Sequence, residues 1–150
     1  MSINLTDPDK VNIKIAYLGT LQNIINRMAT FIIAMQTASV TTLTALIAYS
    51  ASEPIDSSFK LWMFLIPWLF FAGYHAYFLR LERAFRTIYN NSSNQDDFSF
   101  SDMKIDKNKL NSAYEKWLSV ILSRPLVIFH LTLIVIAVVS FIKIRGIPCF

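Results

Sequence analysis

Three long stretches without Asp, Glu, Lys or Arg constrain this 150-residue chain more than any other feature. They cover residues 28–52, 61–79 and 125–142 and are 25, 19 and 18 residues long. A helix needs about 20 apolar residues to cross a hydrocarbon layer of roughly 30 Å. The sequence therefore predicts a single all-α integral membrane domain with three transmembrane helices.

The polar segments between these stretches predict the remaining elements. Pro8 suits the first turn of a helix, and Val11, Ile15, Leu18 and Ile25 then form one apolar stripe. No helix-stop signal follows residue 79, so the second span should continue past it. We predict an N-terminal amphipathic cytoplasmic helix (8–27), a first span (28–50), a second span (59–79) with a cytoplasmic helical extension to residue 90, a loop (91–107), an interfacial helix (108–123) and a third span (124–143).

The distribution of basic residues predicts the orientation. Lys10, Lys14 and Arg27 precede the first span, the connection 51–60 holds one lysine, and residues 80–124 hold eight Lys or Arg. Basic residues favour the cytoplasmic side. We therefore expect the N-terminus and the central loop to be cytoplasmic and the chain to lie in a bacterial inner membrane. Because this asymmetry accounts for the net charge of +4, the charge does not indicate nucleic-acid binding.

The first span is unusually rich in hydroxyl groups. Thr30, Thr37, Thr41 and Thr44 follow one another at intervals of seven, four and three residues, which places them on one side of a helix. Such a stripe is typical of a seam where helices approach closely. It also suits the water-facing wall of a pore, and an oligomer could combine the two.

The segment 74–90 begins in an uncharged stretch and then carries three arginines at helical spacing. Arg80, Arg83 and Arg86 lie on one side, opposite an apolar stripe that includes Phe85 and Ile88 and needs a packing partner. Glu82 can pair with Arg86 across one turn. Guanidinium groups bind phosphate well, and aromatic rings stack on bases. The candidate ligand-binding residues are therefore these three arginines with Tyr89, Tyr114 and Trp117. The alternative is an anchor for lipid headgroups.

Enzyme chemistry has little support in the sequence. The chain has three glycines and one cysteine, and it lacks a glycine-rich nucleotide loop and a His-Glu zinc motif. We expect a protein without catalytic activity, cofactor or metal ion. Charged residues deep in the membrane mark ion-coupled transport, and the three uncharged stretches contain none, which argues against it.

The layout of residues 8–90, with the second span continuing as "AYFLRLERAFRTIYN", resembles small bacterial membrane effectors of antiphage defence. These include SLATT-type proteins and the membrane component of Hailong-type systems, and a third span departs from the two-span SLATT layout. The resemblance implies a homo-oligomeric channel in the lipid bilayer, controlled by a nucleotide or oligonucleotide from a partner enzyme. A scaffold or accessory subunit of a membrane complex, or a small transporter subunit, is the alternative.

Overall fold

Helices make up nearly all of the described chain. The computed structural model describes residues 7–52, 62–95 and 98–144, and these contain no β-strand. The elements are α1 (Asp7–Ser52), α2 (Trp62–Ser93), a short 3₁₀ helix (Phe100–Met103), α3 (Lys107–Ala113), α4 (Trp117–Ile121) and α5 (Arg124–Ile144). The predicted all-α fold class is confirmed for the described residues.

Three of these helices are long and apolar enough to cross a membrane. The qualifying segments of the described chain are Pro8–Ala51, Trp62–Ser93 and Arg124–Lys143. They contain the third uncharged stretch in full and the first two without residues 52 and 61, so the number of candidate spans agrees with the prediction.

The N-terminal helix and the first predicted span form one continuous helix. Helix α1 has 46 residues and is about 69 Å long at about 1.5 Å per residue, more than twice the thickness of a bilayer core. Neither proline nor glycine stands near residue 27, where the composition changes, so nothing in the backbone ends the helix there. At the boundary between the two predicted elements the side chains change from partly charged to uncharged, but the helix continues without a turn.

Helix α2 likewise runs from the apolar segment into the arginine-bearing segment without a break. It continues through Pro67 and ends at Ser93, while residues 59–61 of the predicted span lie outside the described residues. The Lys14 Nζ of α1 donates hydrogen bonds to the carbonyl oxygens of Ser93 (2.9 Å) and Gln95 (2.7 Å). A cation suits this position because the last carbonyls of a helix lack partners within it.

The predicted interfacial helix 108–123 consists of two short helices. Tyr114 and Lys116 have extended backbones, and they separate α3 from α4. The carbonyl oxygen of Glu115 accepts a hydrogen bond from Arg80 Nε at 3.0 Å. In a continuous helix the Glu115 carbonyl would point along the helix axis, and the break between α3 and α4 leaves it free to bind Arg80.

The N-terminal part of α1, the end of α2 and the segment after α2 pack around a small apolar cluster, which we call the loop-end core. Tyr17 and Leu21 of α1, Ile88 of α2 and Phe98 are buried in it, and Tyr17 lies 5.5 Å from Phe98 between ring centroids. Partly buried side chains surround the four: Ile13, Leu18, Phe85, Tyr89, Met103, Ile105, Leu110 and Ala113. The apolar stripe that α2 carries past residue 79 therefore finds its partners within the same chain.

Residues 28–52, 62–79 and 125–143 form the other part of the bundle, which we call the apolar half. Its outer surface is hydrophobic, with Ile33, Ile66 and Leu69 each more than half exposed. Its interior includes Phe64 and Leu133, and also buried serine and histidine side chains. This distribution is the one expected of helices that face lipid.

Candidate functional site

The four threonines of the stripe all lie on the outside of the single chain. Thr30, Thr37, Thr41 and Thr44 are exposed on α1, on the side away from the buried residues Ser39 and Ser50. The hydroxyl of Thr30 donates to the carbonyl of Asn26 (3.0 Å), and that of Thr44 donates to the carbonyl of Val40 (2.9 Å). We call this surface the threonine face.

A different set of polar residues faces the interior of the bundle. Ser39 donates to the carbonyl of Gln36 at 2.8 Å, and Thr42 lines a small internal cavity with Phe64 and Leu133. The contact of α1 with α2 and α5 therefore uses Ser39 and Thr42, and the threonine face is not needed for packing within the chain. A seam between subunits and a pore wall remain as its two interpretations.

The first arginine of α2 is held by the segment between α3 and α4. Arg80 Nε donates to the Glu115 carbonyl at 3.0 Å. The Arg80 guanidinium carbon lies 4.4 Å from the centre of the Tyr114 ring and 5.6 Å from that of Trp117. Both distances are within the range of cation–π attraction. The structure thus brings together three of the six predicted ligand-binding residues, in contact with one another.

The second and third arginines each contact a glutamate. Arg83 Nη1 lies 2.8 Å from Glu115 Oε2, and Arg86 Nη2 lies 2.5 Å from Glu82 Oε1. The Glu82–Arg86 pair predicted from the sequence is confirmed. Glu82 is buried, whereas the Arg86 side chain is 63 % exposed, so Arg86 is the most accessible of the three arginines.

Tyr89 lies apart from the other predicted ligand-binding residues. It packs against the loop-end core and is half-buried there, while Tyr114 and Trp117 accompany Arg80. One turn of helix separates Tyr89 from Arg86, but its ring is directed to apolar neighbours. A base that stacks on Tyr114 or Trp117 would therefore not reach Tyr89 in this arrangement.

The aspartates of the loop serve its own structure. Asp102 accepts hydrogen bonds from the backbone N–H of Ser99 (2.8 Å), from its hydroxyl (2.9 Å) and from Gln95 Nε2 (3.0 Å). The Ser99 backbone bond, followed by the Ser99 hydroxyl, holds the pKa of Asp102 below its ordinary value. Asp106 caps α3 by accepting from the Lys109 N–H at 2.8 Å. Asp96 and Asp97 lie outside the described residues.

Two histidines meet inside the apolar half. His75 Nδ1 of α2 lies 3.1 Å from His130 Nε2 of α5, and each residue is 3 % exposed. Trp68 Nε1 donates to the His130 carbonyl at 3.1 Å. Among the described residues no group of three or more His, Cys, Asp or Glu side chains could hold a metal ion.

Sequence reasoning missed two of these features. Glu115 is the one acidic residue after Asp106, yet only the fold shows that it reaches both Arg80 and Arg83. His75 and His130 are 55 positions apart, and no local spacing connects them. An uncharged stretch that contains a histidine was the available signal, because such a residue needs a polar partner in an apolar interior.

Comparison of this chain with known protein families, with characterised proteins and with solved structures finds no match. Its candidate sites are therefore defined by their own geometry.

Proposed function

We propose that this chain is the subunit of a homo-oligomeric channel in the bacterial cytoplasmic membrane, with the threonine face of α1 as the pore wall. The observation that carries the proposal is the exposure of all four threonines on the outside of the single chain. In a lipid-facing position these hydroxyls would gain nothing over aliphatic side chains. In a pore they would contact water and ions.

The channel needs several copies of the chain. Three spans cannot enclose a water path by themselves, whereas a ring can place one α1 from each subunit around a common axis. Thr30 and Thr44 already satisfy their hydroxyl protons on carbonyls of the preceding turn. Their remaining lone pairs are then available to water or to a passing cation.

The arginines of α2 give the proposed channel a site for an anionic ligand on the cytoplasmic side. Arg80, Arg83 and Arg86 repeated around a ring would concentrate positive potential at one mouth. Resemblance to antiphage effectors gives the ligand class as a nucleotide or oligonucleotide, made by a partner enzyme. Its phosphate would compete with the Glu115 carboxylate, which lies 2.8 Å from Arg83.

Ion flux through reconstituted protein tests the pore wall. Replacing Thr37 and Thr41 together with leucine should reduce flux at least tenfold, while the oligomer keeps its size in detergent. Thr132→Leu is the matched control, because Thr132 of α5 is also exposed and also donates to the preceding turn, at 2.8 Å to Ile128. Unchanged flux in the double variant would assign the threonine face to packing between subunits.

Ligand binding is tested separately. Short oligonucleotides and cyclic nucleotides are titrated into the purified oligomer across a salt series, because a phosphate site weakens steeply as salt rises. Arg83→Ala should remove the salt-dependent binding, and Arg27→Ala, an exposed arginine of α1, should leave it unchanged. Absence of binding at low salt would mean that the arginines bind lipid headgroups or only their partners within the chain.

A scaffold subunit is the second candidate, and one observation favours it. Arg80 and Arg83 are already bound by Glu115 and the neighbouring aromatic rings, so they have structural partners without any ligand. A monomeric particle in detergent, or a ring without conductance, would select this candidate over the channel.

A further inference from the structure

The contact between the paired histidines in the apolar half depends on the number of protons that the two rings carry. We propose that His75 and His130 form a proton-sensitive lock between α2 and α5, closed when the pair is neutral and opened by acid. The lock stands on the 3.1 Å contact between His75 Nδ1 and His130 Nε2 and on the burial of both rings. It does not depend on the proposed channel.

The number of protons on the two rings decides whether the contact can exist. Two neutral imidazoles carry one N–H each, so one ring can donate to the bare nitrogen of the other. One additional proton can be placed on an outer nitrogen without loss of this hydrogen bond. With a second additional proton both facing nitrogens carry hydrogen, and the contact becomes a repulsion between two cations.

The surroundings make any charge on the closed pair costly. His130 Nδ1 is buried and has no hydrogen-bond partner in the described part of the chain, so a proton placed there would have no acceptor. The aromatic rings of Trp68 and Phe129 lie 6.1 and 5.0 Å from the His130 ring. A buried charge without a partner is unfavourable, and contact with water would relieve it.

The apolar half contains no acidic residue that could neutralise such a charge. Apart from the pair itself and Lys143 near the end of α5, its titratable groups are Tyr49 on α1 and Tyr74 and Tyr77 on α2. Helix α4 has no titratable residue. The nearest charged groups along α2 are Arg80, a cation, and Glu82, which lies two turns from His75 and pairs with Arg86. Protonation of the pair therefore favours separation of the helices.

The structure leaves space beside the pair into which the rings can separate. His130 lines a groove of about 420 Å³ together with Gly73, Ala76 and Leu126, where small side chains of α2 leave space next to α5. The hydrogen bond from Trp68 to the His130 carbonyl joins the same two helices beside the imidazole contact. Separation of the rings would therefore move the start of α5, which follows α4 and the segment 114–116 that contacts Arg80.

Nuclear magnetic resonance can observe this pair without interference. The chain has two histidines, and both belong to the lock, so selective ¹⁵N-histidine labelling of the full-length protein reports on nothing else. At pH 8 we expect two neutral, inequivalent rings joined by an N–H···N hydrogen bond. At pH 3 we expect charged rings and loss of that hydrogen bond. A pair that stays neutral and joined at pH 3 overturns the proposal.

A distance measurement tests the movement. Spin labels at Tyr77 of α2 and Ile128 of α5, both exposed, are introduced with Cys149→Ser, and labelled chain is diluted with unlabelled chain. The distance between labels should lengthen over the pH range in which the rings become charged. Charged rings with an unchanged distance would overturn the lock.

Glutamine variants separate the lock from other effects of acid. His75→Gln and His130→Gln keep a hydrogen-bonding group but cannot take up a proton in this range. Each variant should give the same label distance at pH 8 and pH 3, whereas Thr132→Val, a change at an exposed residue of α5, should retain the transition. A pH-dependent distance in both glutamine variants would place the acid effect elsewhere and overturn the proposal.

Discussion

The loop-end core and the apolar half of the bundle bury opposite kinds of side chain. In the loop-end core Tyr17, Leu21 and Phe98 are inside, and lysines and aspartates lie around them. In the apolar half large aliphatic residues such as Ile33 are outside, while Ser39 and the histidine pair are inside. Helices α1 and α2 each contribute to both arrangements.

The proposed membrane location would explain this difference, because the two regions would then meet two different solvents. Water drives apolar side chains together at the loop end, since their burial stabilises the fold. Lipid gives no such drive, so helices there associate through close packing and polar contacts. Polar contacts that hold the apolar half, such as His75 with His130, are therefore sensitive to a change of protonation or of a polar group. The contacts of the loop-end core are sensitive mainly to a change in side-chain volume.

Side-specific labelling gives the largest expected effect, because in the proposed orientation the two ends of the apolar half lie on opposite sides of a membrane. With Cys149 replaced by serine, cysteines are introduced singly at Ser57 and Asn94. An impermeant reagent added to intact cells should label Ser57→Cys and leave Asn94→Cys unlabelled until the cells are opened. Labelling of Asn94→Cys from outside contradicts the orientation, and labelling of neither site from outside contradicts the span assignment.

Shortening a buried side chain of the loop-end core gives the next largest effect. Leu21 is fully buried, so Leu21→Ala should lower the free energy of unfolding by about 2–5 kcal/mol. Ile15→Ala, on the same helix but 63 % exposed, is the control and should change it much less. Thermal unfolding of the two variants in the same detergent checks this, and equal losses would show that the loop end lacks a water-driven core.

A smaller effect is expected at the contact between the arginines and the segment 114–116. Glu115→Gln keeps the side-chain size and the backbone carbonyl but removes the charge that pairs with Arg83. Because both side chains are partly exposed, the loss of stability should be about 1 kcal/mol or less. If Arg83 binds a phosphate, the same variant should bind it about fivefold more tightly, since about 1 kcal/mol of competition has been removed.

Equal affinity in Glu115→Gln and in the unaltered protein would show that the carboxylate does not compete for the ligand. Glu82→Gln serves as the comparison, because Glu82 pairs with Arg86 and not with Arg83.

The smallest expected effect concerns acid and the loop. Hydrogen bonds from Ser99 lower the pKa of Asp102, so the ionised carboxylate stabilises the fold above its unfolded pKa. That contribution is lost as the pH falls through the folded value. The melting temperature should therefore fall slightly more on acidification below pH 4 in the unaltered protein than in Asp102→Asn. Identical pH dependence in the two proteins would show that Asp102 contributes nothing measurable.

The prediction succeeded where a feature depends on local composition. The uncharged stretches fix where an apolar helix can lie, and the step from Glu82 to Arg86 fixes a contact across one turn. The stripe with Phe85 and Ile88 showed that α2 needed a partner but did not identify Tyr17 and Leu21. A periodic pattern gives the direction of a face, and it carries no information about the distant segment that covers it.

By itself, then, the sequence determined the helical class, the three candidate spans and the helices that carry the predicted site residues of α1 and α2, whereas Tyr114 lies in the extended segment between α3 and α4. Tertiary structure alone decided that α1 is one continuous helix, that Glu115 reaches Arg80 and Arg83, and that His75 meets His130. The physical reason is range. Transfer of side chains between water and lipid acts on every residue separately, whereas hydrogen bonds and ion pairs form within about 3 Å and require the packed helices to bring their partners together.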